Sequence, residues 1–213
     1  MSRHAGVDDP DFLQVARIVE RTAVLGPGMR AVVVVQGCHL RCRGCIAAAT
    51  HPLDGGVRVP VSALVERLAA LPQLDGVTFS GGEPFLQAAA LAALSDGLRA
   101  RRPGLSLMAY SGYRHERLAR GTAAQRALLA RLDLLVDGPY VERRHAPLRW
   151  RGSANQRLLV LSDRDVGEVT PDEPAGVELT LDGELGLSWV GVPPQPGFLA
   201  TLDAAITRGL EAA

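Results

Sequence analysis

The clearest hydrophobic pattern in the chain is the run at 30–36, Arg-Ala-Val-Val-Val-Val-Gln. A strand with this sequence is apolar on both faces, which is typical of a strand buried on both sides in a parallel sheet. Shorter apolar runs recur along the chain and predict further strands. They lie at 76–80, 105–110, 132–136 and 157–161.

Apolar residues at helical spacing separate these predicted strands. Pro60 is placed to open a first helix, because proline is tolerated in the first turn. The apolar residues of that helix fall on one face: Val61, Leu64, Val65, Leu68 and Leu71. Further helices are predicted at about 87–99 and 122–131. Alternation of strand and helix predicts an α/β fold whose parallel strands are joined by right-handed crossovers.

The alternation of predicted strands and helices ends after Gly138. Residues 139–156 are predicted to form a polar loop, and 162–176, rich in Asp, Glu, Pro and Gly, a surface link. A hairpin is predicted at 177–190 around Asp-Gly-Glu at 182–184, followed by a helix at 197–210. We expect residues 1–161 to form the core and 162–213 a C-terminal extension packed on the same domain.

The composition of the chain excludes several classes of function. With 213 residues, 47% of them hydrophobic and 22% charged, the chain suits one soluble globular domain. Its apolar runs are shorter than the roughly 20 residues of a membrane span, and its N-terminus lacks a signal-peptide pattern, so we expect a cytoplasmic protein that needs no membrane. The formal net charge of zero predicts no general affinity for nucleic acid. All 23 basic residues are arginine, which excludes chemistry that requires a lysine.

The three cysteines of the chain, Cys38, Cys42 and Cys45, fall within one short stretch. An odd number of clustered thiols argues against a disulfide framework and favours a metal or cluster site, or a redox pair. A redox pair formed by Cys42 and Cys45 leaves Cys38 unused. Zinc requires a fourth ligand, for which His39 and His51 are the nearby nitrogens. Three thiolates alone suit an iron–sulfur cube with one open iron.

The cysteine loop is one of four unusual loops that follow predicted strands. In α/β folds such loops meet at the carboxyl edge of the sheet, where chemistry takes place. The other three are Gly-Gly-Glu-Pro at 81–84, Tyr-Ser-Gly-Tyr at 110–113, and the loop that begins Asp-Gly-Pro-Tyr at 137–140.

The order of these loops resembles the radical S-adenosylmethionine superfamily, in which Cys-x3-Cys-x2-Cys after one strand precedes Gly-Gly-Glu-Pro after the next. Within it, the chain resembles the activating proteins of anaerobic ribonucleoside-triphosphate reductases. The resemblance covers about 25–160 and includes three further motifs: Leu-Gly-Pro-Gly-Met-Arg at 25–30, Leu-Val-Asp-Gly at 135–138 and Trp-Arg-Gly-Ser-Ala-Asn-Gln at 150–156.

The resemblance implies an incomplete β/α barrel of about six strands, with a [4Fe-4S] cluster held by Cys38, Cys42 and Cys45 at its rim. The open iron is then chelated by S-adenosylmethionine, whose reductive cleavage gives a 5′-deoxyadenosyl radical. That radical abstracts a hydrogen atom from a backbone glycine of a glycyl radical enzyme similar to ribonucleotide reductase. A reduced flavodoxin or ferredoxin-type protein is the implied electron donor.

The resemblance also implies which residues contact S-adenosylmethionine. They are the backbone at Gly44, Cys45 and Ile46, the ammonium-binding loop of Gly81, Gly82 and Glu83, and Ser111 and Asp137 toward the ribose or carboxylate.

Two other functions remain open on the sequence. The same chemistry can serve a small molecule or a peptide in a biosynthetic pathway, and a closed pocket walled off by 177–210 would favour that hypothesis. A non-catalytic iron–sulfur carrier predicts instead that the loop at 81–84 points away from the cysteines. Residues beyond about 160 extend past the compact members of the family and are candidates to complete the sheet, cover its edge or reshape the partner surface.

Overall fold

The computed structural model describes residues 9–167, 169, 173–181 and 187–211, and within them it contains eleven strands and five α-helices. Strands β1 to β11 are Phe12–Thr22, Arg30–Val35, Val57–Pro60, Gly76–Gly81, Ser106–Ser111, Leu134–Asp137, His145–Leu148, Arg151–Ser153, Arg157–Val160, Val177–Leu181 and Leu187–Gly191. Helices α1 to α5 are Val61–Ala70, Ala88–Arg101, His115–Ala119, Ala123–Leu129 and Phe198–Glu211. The predicted turn at 182–184, part of the predicted link at 162–176 and the first eight residues lie outside the described residues.

Seven strands form one mixed sheet in the order β3-β1-β2-β4-β5-β6-β9. The four central strands β2, β4, β5 and β6 are parallel, as the apolar runs predicted. The flanking strands β1, β3 and β9 are antiparallel to their neighbours. The architecture is therefore mixed α/β, with seven strands in the main sheet rather than about six.

The additional strands are β1 and β3, to which the sequence pattern assigned no element. In β1, Arg17, Glu20 and Arg21 interrupt the apolar positions, and its pairing with β2 contains two register shifts. An irregular strand near the sheet edge keeps charged side chains in solvent and so lacks a clean periodicity. The short helix α3 and the strands β7 and β8 also lie outside the prediction.

The two faces of the sheet have different surroundings. On β2, Ala31, Val33 and Val35 belong to the main buried cluster, which includes Leu68 of α1 and Leu94 of α2. Val32 and Val34 point to the other face and line a cavity. This explains why the strand is apolar throughout: helices cover one side and the cavity lies on the other.

The segment after β6 is more structured than the predicted polar loop. It contains a 3-10 turn at Glu142–Arg144 and the small hairpin β7–β8. Further along, β10 and β11 pair antiparallel, which confirms the predicted hairpin, and α5 confirms the last predicted helix. None of the helices in the described ranges is sufficiently long and apolar to cross a membrane.

Candidate active site

The cysteine loop begins where β2 ends and is closed by backbone hydrogen bonds. Gly37 has a φ of +98°, which favours glycine and turns the chain out of the strand. Its N–H donates to the Thr50 carbonyl at 2.8 Å, and the Cys38 N–H donates to the His51 carbonyl at 3.0 Å. The loop therefore returns to its own base, so that its thiols stand at the carboxyl edge of the sheet.

All three thiols of this loop line one cavity. Cys38 is buried, while Cys42 and Cys45 are half-buried, and the Cys45 N–H donates to the Cys42 carbonyl at 3.2 Å. Burial raises the pKa of the Cys38 and Cys45 thiols above the ordinary value. Without a bound metal these two thiols are protonated at neutral pH, and binding of a metal centre must displace their protons.

The Gly-Gly-Glu loop after β4 lies directly on the cysteine loop. The Gly82 N–H donates to the Val35 carbonyl at 2.8 Å, and the Glu83 N–H donates to the Gly37 carbonyl at 2.9 Å. A Cβ atom at Gly82 would stand 2.2 Å from the Gly37 oxygen, so only glycine permits this contact. The carrier hypothesis predicted that this loop points away from the cysteines, and that prediction is wrong.

The Glu83 side chain is buried beneath the site and accepts three hydrogen bonds. Its Oε1 accepts from the Phe85 N–H at 3.0 Å and from the Ser111 hydroxyl at 2.9 Å, and its Oε2 accepts from the Gly112 N–H at 2.8 Å. Burial raises the pKa of Glu83 to about 7, although these donors and Arg117 oppose the rise. A carboxylate has about four acceptor positions, so one remains for a ligand.

The Tyr-Ser-Gly-Tyr loop after β5 packs on the cysteine loop from the other side. A Cβ at Gly112 would lie 2.2 Å from Cδ1 of Leu40, so the leucine occupies the space that glycine leaves. The Tyr113 hydroxyl is hydrogen-bonded to Nε2 of His39. Three of the four loops that the sequence placed at this edge are therefore in contact.

Asp137, at the end of β6, is fully buried and holds the fourth loop. Its carboxylate accepts hydrogen bonds from Arg157 and from the His115 N–H at 2.7 Å, and Arg114 lies 3.4 Å away. Burial by itself raises the pKa of this carboxyl. The hydrogen bonds and the two arginines lower it by more, so the pKa lies below the ordinary value. The neighbouring Gly138, rather than Asp137, lines the cavity.

The fourth loop also reaches the cysteine loop. Gly44 has a φ of +69°, and a Cβ there would lie 2.5 Å from Oε1 of Glu142. The other carboxylate oxygen of Glu142 lies 3.2 Å from Nε of Arg43. Glu142 thus occupies the space beside Gly44, while Ile46 is 46% exposed at the cavity mouth.

The cavity enclosed by these loops has a volume of about 480 Å³, which is in the range of small-molecule sites. Most of the site residues that the sequence predicted line it: Cys38, Cys42, Cys45, Ile46, Gly81, Gly82, Glu83 and Ser111. Gly44 and Asp137 lie beside the lining, where they make the loop contacts described above.

Sequence reasoning missed several parts of this lining, among them Arg17 and Val19 of β1. Tyr110 and Trp150 belong to motifs already noted, but no pattern indicated that Trp150 would be buried against Met108 of β5 or that Tyr110 would face the cavity. A further part is Leu187–Pro193, which comes from the C-terminal hairpin and the two residues after it. The sequence offered a wall from 177–210 only as one possibility, because contacts between residues so far apart leave no periodic pattern.

The donor set fits an iron–sulfur cluster better than a single ion. In the described part of the chain, no three His, Cys, Asp or Glu side chains converge as ligands of one metal ion. A cluster requires one thiolate for each of three irons, and three soft thiol donors that share one cavity suit this arrangement. Gly81 and Gly82 line the same cavity and bring no side chain into it.

The two histidines considered for zinc stand differently. Nε2 of His39 is hydrogen-bonded to the Tyr113 hydroxyl, whereas His51 lines the cavity together with the three cysteines. Neither histidine belongs to a group of side chains that holds one ion in the described ranges.

Comparisons with known proteins agree with this geometry. A family described as "4Fe-4S single cluster domain" matches residues 24–159. The anaerobic ribonucleoside-triphosphate reductase-activating protein of Vibrio cholerae is 34% identical over 140 residues, covering 62% of this chain and 88% of that protein. The protein of the same name from Enterobacteria phage T4 is 30% identical over 146 residues, covering 67% and 90%.

A third relative is the pyruvate formate-lyase-activating enzyme of Clostridium pasteurianum, which is 45% identical over 67 residues, 29% of this chain and 28% of that enzyme. The match is short, but it links the chain to a second kind of activating enzyme. The chain belongs to the 4Fe-4S single cluster domain family, as a relative of the anaerobic ribonucleoside-triphosphate reductase-activating proteins that its motifs resemble.

Proposed function

We propose that this chain is a radical S-adenosylmethionine activase that generates a glycyl radical on a partner enzyme similar to anaerobic ribonucleotide reductase. The observation that carries the proposal is the pair of backbone hydrogen bonds that joins Gly82 and Glu83 to the base of the cysteine loop. These bonds put a glycine-lined ligand surface and three thiols in one cavity. The relatives named above are activating proteins of an anaerobic ribonucleoside-triphosphate reductase and of a pyruvate formate-lyase.

In this proposal Cys38, Cys42 and Cys45 hold the [4Fe-4S] cluster. When bound, the cluster and S-adenosylmethionine supply a carbon-centred radical that takes a hydrogen atom from the substrate. The backbone at Gly44, Cys45 and Ile46 borders the ligand on one side. On the other side lie Gly81 and Gly82, together with the free acceptor position of Glu83, which suits an ammonium group.

Ser111 and Asp137 have positioning roles in this proposal. The Ser111 hydroxyl is used by Glu83, and the carboxylate of Asp137 is surrounded by Arg157, Arg114 and the His115 N–H. Each therefore acts on the ligand through a neighbour: Ser111 through the Glu83 carboxylate, and Asp137 through the backbone of the next residue.

The remaining lining excludes water from the reacting atoms. Val32 and Val34 of β2 and the buried ring of Trp150 present apolar surface to the same cavity. An apolar surrounding limits side reactions of a radical with solvent. We further propose that the sheet is an incomplete β/α barrel, with residues 1–161 as core and 162–213 as an extension on the same domain.

The electron donor that we propose is a reduced flavodoxin or ferredoxin-type protein. Arg41 and Arg43 are exposed on the cysteine loop beside Cys42, and exposed arginines at a redox centre suit an acidic partner. Three thiols without disulfide partners require a reducing compartment, so we place the reaction in the cytoplasm.

A second candidate function is radical chemistry on a small molecule or a peptide from a biosynthetic pathway. The observation that favours it is the contribution of Leu187–Pro193 to the cavity lining, because a wall from the C-terminal extension reduces the open side of the site.

The test of the proposed function is anaerobic. The protein is reconstituted with iron and sulfide, reduced and given S-adenosylmethionine, and 5′-deoxyadenosine is quantified by mass spectrometry. We expect product from the wild type and from His39→Ala, which removes the nitrogen inside the loop, and none from Cys42→Ala. A complete cluster that forms no product, even with the partner present, would contradict the enzyme function.

A further inference from the structure

The β10–β11 hairpin lies outside the segment that matches the 4Fe-4S family, yet it forms part of the cavity. The family match ends at residue 159, whereas the cavity lining includes Leu187–Pro193. The relatives from Vibrio cholerae and phage T4 are matched over 88% and 90% of their own length, but over only 62% and 67% of this chain. The hairpin is thus an addition to the matched domain that touches its reactive cavity.

Two hydrogen bonds attach the hairpin to the β1 side of the sheet. Nη2 of Arg17 donates to the Trp189 carbonyl at 2.8 Å, and the N–H of Ala23, just after β1, donates to Oε1 of Glu178 at 2.9 Å. These bonds join both strands of the hairpin to one end of the cavity. The hairpin is therefore held in place rather than merely adjacent.

A third attachment lies on the far side, beyond β6. Nε2 of His145, on β7, is hydrogen-bonded to the Pro193 carbonyl at 3.1 Å, and Nδ1 of the same ring pairs with the Tyr140 hydroxyl at 3.1 Å. Tyr140 and His145 also line the cavity. The hairpin and its following residues thus connect the β1 side to the fourth loop across the face that the helices leave uncovered.

The inner surface of this connection is apolar. Val190 and Val192 are each 6% exposed, and both line the cavity together with Val32 and Val34 of β2. The same space of about 480 Å³ must accept S-adenosylmethionine. A cavity of this size with an added wall has little room for a bulky substrate side chain, and glycine is the residue without one.

We infer that residues Trp189–Pro193 form the outer wall of the substrate cavity and determine which polypeptide segment reaches the reactive centre. The occupant is an extended, glycine-bearing segment of the glycyl radical enzyme, because the space left beside S-adenosylmethionine in a cavity of about 480 Å³ suits a residue without a side chain. A small molecule, which the same wall would also suit, is the occupant that the binding experiment below separates from it. This inference rests on the proposed function. It makes Trp189 a specificity-determining residue, because tryptophan supplies a large rigid contact at interfaces.

The experiment measures binding of a fluorescein-labelled peptide that spans the radical-bearing glycine of the partner from the same organism. Anisotropy is recorded with the reconstituted full-length protein and S-adenosylmethionine, so the readout does not depend on turnover. Trp189→Ala is expected to weaken binding about ten-fold, as truncation of a contact tryptophan does, and Trp189→Phe to recover most of it.

The matched control is Leu179→Ala, because Leu179 pairs with Trp189 in the hairpin register, is 48% exposed and does not line the cavity. It is expected to bind as the wild type does. Glu178→Ala removes the carboxylate that accepts from the Ala23 N–H and so loosens the hairpin from the β1 side, at a residue that does not line the cavity; we expect about three-fold weaker binding. This variant tests the wall even if Trp189→Ala fails to fold.

The outcomes separate the two proposals. Equal binding by the wild type, Trp189→Ala and Glu178→Ala would overturn the wall while leaving the proposed function intact. A wild type that cleaves S-adenosylmethionine but binds no peptide would overturn the proposed function, and with it this inference.

Discussion

The Ser111 hydroxyl donates a 2.9 Å hydrogen bond to Oε1 of Glu83, which joins the loop after β5 to the loop after β4 beneath the reactive cavity. Both residues were predicted to contact S-adenosylmethionine, and the structure shows that they contact each other. The Tyr113 N–H in turn donates to the Ser111 hydroxyl at 3.0 Å. The second and third loops of the site are therefore one hydrogen-bonded unit.

We expect Ser111→Ala to destabilise the apo protein by about 2 kcal/mol at pH 8, because a buried carboxylate then loses one of its donors. The free energy of unfolding is measured with urea. Ser62→Ala, an exposed serine on α1, is the matched control and should change stability by less than about 0.5 kcal/mol. Equal effects of the two substitutions would show that the Ser111 hydrogen bond contributes little.

The pH dependence of the free energy of unfolding should show the raised pKa of Glu83. Its pKa is about 7 in the folded chain against an ordinary 4.5, so the folded state binds the proton more tightly than the unfolded state between these values. The contribution of Glu83 to the free energy of unfolding therefore falls as the pH rises from 4.5 to 7, by about 3 kcal/mol at most. Urea unfolding of the apo protein across this range, compared with Glu83→Gln, isolates the effect. Parallel curves for the two proteins would contradict the raised pKa.

Arg157→Leu is predicted to destabilise the protein by about 2 to 3 kcal/mol, because Asp137 stays buried after losing its main cationic partner. The control is Arg131→Leu, which removes a comparable pair with Asp96 at the surface. Surface pairs contribute about 0 to 1 kcal/mol, so the control effect should be small. The free energies of unfolding are measured with heat and with urea. An equal loss in the two variants would contradict the role assigned to Asp137.

Tyr110→Phe should leave the apo protein as stable as the wild type, or more stable by about 1 kcal/mol. In the described part of the chain, the buried Tyr110 hydroxyl has no hydrogen-bond partner, and removing such a group relieves a desolvation cost. Burial also raises the pKa of this phenol, so it remains protonated in solution. A drop in melting temperature for this variant would mean that the hydroxyl has a stabilising partner.

Local patterns predicted the parallel centre of the fold and the contact between its loops. The valine run of β2 is apolar throughout because both faces are buried, and that pattern is visible in the sequence alone. The glycines at 81 and 82 were placed at the site by motif. Their physical reason, the approach of the Gly82 backbone to Gly37, appears only in the structure.

Tertiary contacts decided the features that sequence reasoning missed. β1 alternates irregularly because its charged side chains face solvent and its register shifts twice. The hairpin was predicted as a hairpin, but its place over the cavity depends on contacts such as the hydrogen bond between Arg17 and Trp189, 172 positions apart. Contacts at such separations leave no periodicity in a single sequence.

The most direct test of the central claim follows the transferred hydrogen atom. The partner glycyl radical enzyme is produced with glycine deuterated at Cα, and 5′-deoxyadenosine formed by the reduced, reconstituted protein is analysed by mass spectrometry. Abstraction from a backbone glycine predicts one deuterium in the product, together with a glycyl radical signal in the partner. Product that forms at the same rate without the partner and contains no deuterium would contradict the assignment of this chain as a glycyl radical activase.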